Sequence, residues 1–497
     1  MWLAYDYPAM LDVNRTDAQG LNESGRKLAT ESHATAATAP GGHFLLGMIF
    51  QRDYRKQDHM NQVSSLSSRF ALALCGLVLP ELASAQFFND FVESPHRYWE
   101  AELQDPMSQW LKGVDEGKVN VPENEQVGRG LVERLLRDLK IPVESQVMVF
   151  SKTSLQRKPV TPDNPRAIYF NDDVYVGWMP GGRVEVSSFD PNIGSIYYYE
   201  RDFDDGPERP LFYRERRCIG CHAGSATNFI PGPMGMSVFA NETGRPMKTV
   251  MSFELAGHDV DFLDRWGGWY VTGNQGALRH MGNAQLEEVN GKPTIDREKH
   301  ANLKSLEAFF PEDKYPTKGS DILALLLLDH QISMQNRFTE AHYRVRQAIY
   351  DRAETEEGKE PRSDYDSELE TATELVVRYL LFADEVSLGA EEVAGESTFR
   401  ETFLVARKPA RDGRSLRDLC LKDHIFEHRC SYMIYSSAFA GLPAPLKSSI
   451  FERMRQVLNP NEEVEGYTHL AADEKSAITS ILTDTLPEFG TAGSAEL

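Results

Sequence analysis

The run Cys218-Ile219-Gly220-Cys221-His222 combines the residue types and spacing that most specifically indicate chemistry in this chain. In c-type cytochromes, two cysteines at this spacing bond to the vinyl groups of haem, and the histidine that follows ligates the iron. A thioredoxin-type redox pair has no need of the histidine, and a zinc site would need a second cysteine pair at short spacing, which the sequence lacks. We therefore predict one covalent haem c, with Cys218 and Cys221 as thioether anchors and His222 as the proximal iron ligand.

The second axial position of the iron decides between electron transfer and small-molecule chemistry. A methionine or histidine there closes the site, whereas an open position admits peroxide or another small ligand. The first candidates for a distal ligand are Met281 and its neighbour His280. An open site is also possible, and the remaining candidates are Met234, Met236, His258, His330 and His342.

The segment that runs from Arg265 to Arg279 has the composition expected of a haem crevice. Trp266 and Trp269 are flat side chains that can line a porphyrin, and Arg265 or Arg279 can pair with a propionate. Arg216-Arg217 could serve the same propionates. The alternatives are a structural loop around two core tryptophans and an exposed basic pair.

Covalent haem attachment takes place outside the bacterial cytoplasm, so the chain should carry an export signal. The apolar run from Phe70 to Pro80 follows Arg69 and precedes the small residues Ala83-Ser84-Ala85. It is too short to span a membrane and is typical of the apolar region of a secretory signal. We predict a misassigned or disordered extension over 1–59, a signal peptide over 60–85 and a periplasmic mature chain from Gln86. The alternative is a buried core helix.

Charge and hydropathy limit the partners. The net charge of −22 argues against nucleic acid, which needs a concentrated basic face. Past the signal, the longest apolar run is Ile322 to Leu328, which predicts a buried helix and no membrane span. The acidic surface favours solubility, or it steers a basic periplasmic redox partner protein. Cys420 and Cys430 would lie about 15 Å apart on one helix, so a disulfide between them requires a break near Lys422.

The pattern along the chain predicts an α+β fold. Residues 86–200 begin with a helical N-terminal part over 86–140, where apolar residues recur at intervals of three to four. Short runs of β-branched and aromatic residues then indicate a small antiparallel meander. Residues 201–300 form an irregular, cytochrome c-like haem-binding segment, and residues 301–490 form a mostly helical domain. An acidic stretch over 354–371 is a candidate linker.

Several stretches resemble a group of bacterial single-haem cytochrome c-domain proteins. They are YFNDDVYVGWMPGG, RRCIGCHAG through PGPMGMSV, RWGGWYVTGNQGALRHMGN, LLLLDHQISMQN and HRCSYMIYSSAFAGLP. The resemblance spans most of 165–445. It implies an exported haem protein of the cytochrome c-like superfamily, and it implies no particular reaction.

Together these features lead us to expect an exported c-type cytochrome that transfers electrons. One alternative is a haem-dependent peroxidase or related oxidoreductase with an open sixth position, since electron transfer alone rarely needs so long a chain. Another is a haem-based sensor or binding module.

Overall fold

The computed structural model describes residues 91–202, 210–247, 254–356 and 364–491. The predicted extension over 1–59 and the predicted signal peptide over 60–85 lie outside these residues.

The described residues form a mixed fold of helices and antiparallel strands, as predicted. The strands are β1 Val147–Val149, β2 Arg166–Phe170, β3 Val174–Trp178, β4 Glu185–Asp190, β5 Gly194–Glu200, β6 Phe212–Arg214, β7 Met236–Ser237, β8 Glu254–Leu255, β9 Trp269–Tyr270, β10 Glu287–Val289, β11 Lys292–Thr294, β12 Leu419–Lys422 and β13 His424–Phe426. The α-helices are α1 Pro106–Asp115, α2 Gly128–Asp138, α3 Ile219–His222, α4 Ile322–Glu356, α5 Tyr365–Leu380, α6 Ser397–Val405, α7 Ser437–Ala440, α8 Ala444–Val457, α9 Ala472–Thr485 and α10 Pro487–Thr491.

A seven-stranded antiparallel sheet has the order β6-β5-β4-β3-β2-β1-β9. The meander predicted from the β-branched and aromatic runs is confirmed, because β1 to β5 pair in sequence order. The turn between β2 and β3 is closed by Asn171, whose side chain accepts from the backbone N–H groups of Asp173 and Val174. Strands β6 and β9 belong to the predicted haem segment, so that segment shares the sheet with the meander.

Both faces of this sheet are buried, and successive side chains point to opposite faces. Met148 and Tyr169 pack with the N-terminal helices, in a cluster that includes Leu131 of α2. Val147 and Tyr175 pack on the other face, in a cluster that includes α4. Because both faces are covered, every residue of β3 is buried. The same covering explains why the sequence of β3 does not alternate between apolar and polar residues.

Helix α4 begins with the run Ile322 to Leu328, and every residue of that run is buried, which confirms the predicted buried helix. The acidic stretch predicted as a linker spans the end of α4 and the start of α5, and residues 357–363 lie outside the described part.

The C-terminal half is mostly helical, as predicted, but it also contains the hairpin of β12 and β13. Asp423 turns this hairpin with a positive φ of 62°, which provides the break that a Cys420–Cys430 disulfide would need. Both cysteines are nevertheless free thiols. Among the residues described, no helix is long and apolar enough to cross a membrane.

Candidate functional site

The cysteine motif forms a short helical turn at the surface. A 3-10 turn over Arg216–Cys218 leads directly into α3, and the side chain of Glu215 accepts from the backbone N–H of Arg217 at 2.9 Å to cap it. Residues three apart on such a turn share a face, so the two thiols lie on the same side. Cys218 is half-buried and Cys221 is exposed.

His222 is held by a backbone carbonyl. Its Nδ1 lies 3.1 Å from the carbonyl oxygen of Gly232, and the Gly232 N–H donates to the carbonyl of His222 at 2.9 Å. Burial lowers the pKa of His222 to about 4, so the imidazole is neutral at neutral pH. A neutral ring that donates from Nδ1 keeps the lone pair on Nε2, which is the arrangement that second-shell carbonyls impose on metal-ligating histidines.

The segment Pro231-Gly232-Pro233 is fixed from two sides. Ser195 of β5 donates its N–H to the carbonyl of Pro231 at 3.0 Å, and the Asn336 amide of α4 donates to the carbonyl of Pro233 at 2.9 Å. A Cβ at Gly232 would lie 2.0 Å from Asn336 Oδ1. Glycine is therefore required at position 232 because α4 approaches the backbone there.

The motif lies on the wall of a cleft between the sheet and α4. The cleft contains about 1190 Å³ of space between protein atoms, part of it open to solvent. Leu328 and Ile332 of α4 line it, together with Trp269 of β9. This mainly apolar lining is typical of sites for small organic molecules and cofactors.

Part of the cleft wall is a sheet surface in which Gly177 and Ser187 are small residues between larger ones. Gly177 of β3 pairs with Glu185 of β4, and Ser187 pairs with Tyr175 on one side and Tyr197 on the other. All of these residues line the cleft. A glycine inside a strand often marks a place where a ligand approaches the backbone closely, and Gly177 leaves such a space.

Charged groups are also present in the cleft. Arg166 pairs with Glu185 at 2.6 Å, and the Nε of Arg166 is buried with no hydrogen-bond partner among the described residues. Arg157 and Arg217 line the same cleft, and Arg217 pairs with Glu215 at 2.5 Å. The unsatisfied Arg166 donor suits an anionic group such as a carboxylate.

Of the seven residues predicted to bind the cofactor, the cleft is lined by Cys218, Cys221, His222 and Trp269. Arg265, Trp266 and Arg279 do not line it.

Each of these three has another partner. Arg265 is buried and donates to the carbonyls of His258 and Val260, and Trp266 donates its indole N–H to Asp329 at 2.9 Å. Arg279 is paired with Glu298 at the surface. Arg216 lies over the ring of Trp99 at 4.5 Å.

Only some of the distal-ligand candidates line the cleft. Met234 and Met236 line the cleft, and the Trp269 indole N–H donates to the Met236 carbonyl at 2.7 Å. Met281 and His280 do not line the cleft: Met281 is buried against Gly267, and His280 accepts from the N–H of Gly282 at 3.0 Å. The other histidine candidates are also buried away from the lining, and they are His258, His330 and His342.

The thiol of Cys218 does not favour the alternative of a redox pair. Burial raises the pKa of Cys218 to about 12, whereas the reactive cysteine of a redox pair needs a lowered pKa. Across the described part of the chain, no group of three or more His, Cys, Asp or Glu side chains is placed to hold a metal ion.

Sequence reasoning missed Gly177, Ser187, Tyr197, Arg166 and Gly232. Gly177 carries a readable signal, since it interrupts a run of large strand-forming residues. The positions of the other four at the site depend on strand register and on the packing of α4, and no local sequence pattern predicts either.

Comparison with known proteins gave no match: no protein-family model fits the chain, and no curated protein or solved structure is significantly similar to it.

Proposed function

We propose that this protein is a c-type cytochrome that carries one haem, bonded through sulfur to Cys218 and Cys221, and that it transfers electrons. The observation that carries the proposal is the hydrogen bond that orients His222. With its Nδ1 bonded to the Gly232 carbonyl, the ring has Nε2 available as an iron ligand, one residue from the second thiol of the motif.

The residues of the cleft fit a haem. The walls are mainly apolar, and the sheet surface lacks bulk at Gly177 and Ser187. Arg166 has an unused buried N–H that a propionate could accept. Apolar surface for the macrocycle and a cation for its carboxylates are the two environments that an amphipathic cofactor needs.

When bound, the haem supplies a one-electron Fe(III)/Fe(II) couple. His222 would hold the iron, Trp269, Leu328 and Ile332 would shield it from water, and Met234 and Met236 are the thioethers in the cleft lining that could serve as a second iron ligand. A thioether ligand closes the iron to other molecules and favours electron transfer over small-molecule chemistry.

The proposal includes export, because thioether formation occurs outside the bacterial cytoplasm. The segment proposed as the signal, 60–85, precedes the described residues, and we propose a periplasmic protein with a periplasmic redox partner.

A haem-stained denaturing gel tests the attachment. The protein is expressed with export and haem-ligation machinery and compared with Cys221→Ala and with Cys420→Ser. Because Cys420 is a free thiol in a hairpin distant in sequence from the motif, its substitution provides a matched control. We expect staining in the wild type and in Cys420→Ser and none or little in Cys221→Ala. An unstained wild type, made alongside a stained cytochrome, would contradict the proposal.

A haem-dependent oxidoreductase is the second candidate, and one observation favours it. Glu185 and Arg166 form an ion pair on the cleft wall, and such a pair could supply an acid–base group and a cation to a bound molecule. Optical titration separates the two functions. A ferric spectrum that is unchanged by cyanide or peroxide fits a closed electron carrier, and one that shifts with either ligand fits the oxidoreductase.

A further inference from the structure

Tyr197 contacts the proximal histidine in two ways. Its ring centroid lies 4.5 Å from that of His222, with the planes inclined at 42°. Its hydroxyl donates to the carbonyl oxygen of Gly232 at 2.6 Å. This is the same oxygen that lies 3.1 Å from His222 Nδ1. One carbonyl therefore accepts from both side chains.

The two donors compete for that oxygen. A carbonyl has two lone pairs, so both bonds can exist together. Each donor withdraws charge from the oxygen, however, and so weakens the oxygen as an acceptor for the other donor. The tyrosine bond, at 2.6 Å, is short for an O–H···O bond, and the histidine bond, at 3.1 Å, is long for an N–H···O bond. Each is judged against its own bond type, and on that basis tyrosine is the stronger donor to this oxygen.

The strength of the histidine bond matters for an iron ligand. A strong acceptor at Nδ1 pulls the proton away from the ring and makes Nε2 a stronger electron donor, as second-shell partners of metal-bound histidines do. Stronger donation stabilises Fe(III) relative to Fe(II) and lowers the reduction potential. A weakened acceptor has the opposite effect.

We propose that Tyr197 is a positioning residue that acts through the Gly232 carbonyl. It limits electron donation by His222 and so raises the reduction potential of the haem. This inference rests on the proposed function, since it concerns the same iron ligand. Strand β5 fixes the side chain in the sheet, and Tyr197 is buried.

Tyr197→Phe tests the inference, because it removes the hydroxyl and keeps the ring against His222. The matched control is Tyr315→Phe. The Tyr315 hydroxyl is buried, donates to the carbonyl of Pro165 at the same 2.6 Å and does not line the cleft. Both variants are made with haem attached, and their potentials are measured by optical redox titration beside the wild type.

We expect Tyr197→Phe to shift the Fe(III)/Fe(II) equilibrium toward Fe(III) and so lower the reduction potential, by up to about 59 mV, which is the value for a tenfold shift of a one-electron couple. Tyr315→Phe should leave the potential at the wild-type value. An unchanged or raised potential in Tyr197→Phe would overturn the inference, and so would an equal fall in both variants.

These outcomes are distinct from failure of the proposed function. If the wild type carries no haem, the proposed function itself is wrong. If haem is attached and only the predicted fall is missing, the proposed function stands and the role of Tyr197 does not.

Discussion

Substitution of Gly232 by alanine should displace the carbonyl that holds His222. The φ of Gly232 lies outside the left-handed region, so the alanine backbone is unstrained and the effect comes from contact alone. The new Cβ would lie 2.0 Å from Asn336 Oδ1 and 3.0 Å from its Cγ. Overpacking of this kind typically costs about 1–3 kcal/mol, and we expect about 3 kcal/mol because Asn336 is held by its bond to Pro233.

A double-mutant cycle assigns that cost to its source. Asn336→Ala alone removes one hydrogen bond to a carbonyl and should cost about 1–2 kcal/mol. If Asn336 is the obstacle, the double variant Gly232→Ala/Asn336→Ala should lose only about that amount. The two changes should then be coupled by about 3 kcal/mol, the whole cost of Gly232→Ala, and so be far from additive.

Urea unfolding followed by tryptophan fluorescence measures the free energy of unfolding of the wild type and the three variants. Gly220→Ala is the matched control, since its Cβ would meet nothing within 4 Å, and it should be nearly neutral. Additive losses, within about 0.5 kcal/mol, would refute the packing of α4 against the histidine-binding loop.

Three further predictions concern the cleft, the pH dependence and the thiols. Gly177→Leu should fill the cleft and prevent haem staining, and normal staining would contradict this. The circular dichroism spectrum should match that of the wild type, because the new Cβ makes only ordinary van der Waals contacts. Glu200 is fully buried, and burial raises its pKa to about 7. Between the usual pKa of a glutamate and this value, the folded protein keeps a proton that the unfolded chain has lost. The free energy of unfolding therefore falls as the pH rises toward 7. Glu200→Gln removes this loss, so its stability relative to the wild type should increase by on the order of 3 kcal/mol between pH 4.5 and 7, measured by urea unfolding at each pH; a constant difference would refute it. Finally, a thiol reagent should label Cys420 in the native protein and the buried Cys430 only after unfolding, and a bond between the two, seen by mass spectrometry, would contradict the free thiols.

The sequence predicted the elements that depend on local pattern. Strands β1 to β5 follow from β-branched runs separated by turn residues such as Asn171, and the start of α4 follows from its apolar run. The α+β class could be predicted for the same reason. The helical N-terminal part was predicted less well, since residues 91–105 form turns and the helices are limited to α1 and α2.

The surroundings of the motif could not be predicted, because they depend on long-range packing. Trp266 and Trp269 are close in sequence, yet one faces Asp329 and the other faces the cleft. The separation of Met281 from His222 is like that of small cytochromes, but the chain buries Met281 beside Gly267. Strand register and the path of α4 decide these positions.

The intact mass of the mature protein tests the central claim most directly. Protein exported in the presence of haem-ligation machinery should weigh its polypeptide mass plus one haem after denaturation, and it should show a Soret band. Cys218→Ala/Cys221→Ala should weigh the polypeptide alone. A wild type with the mass of its amino acids and no Soret band would contradict the account.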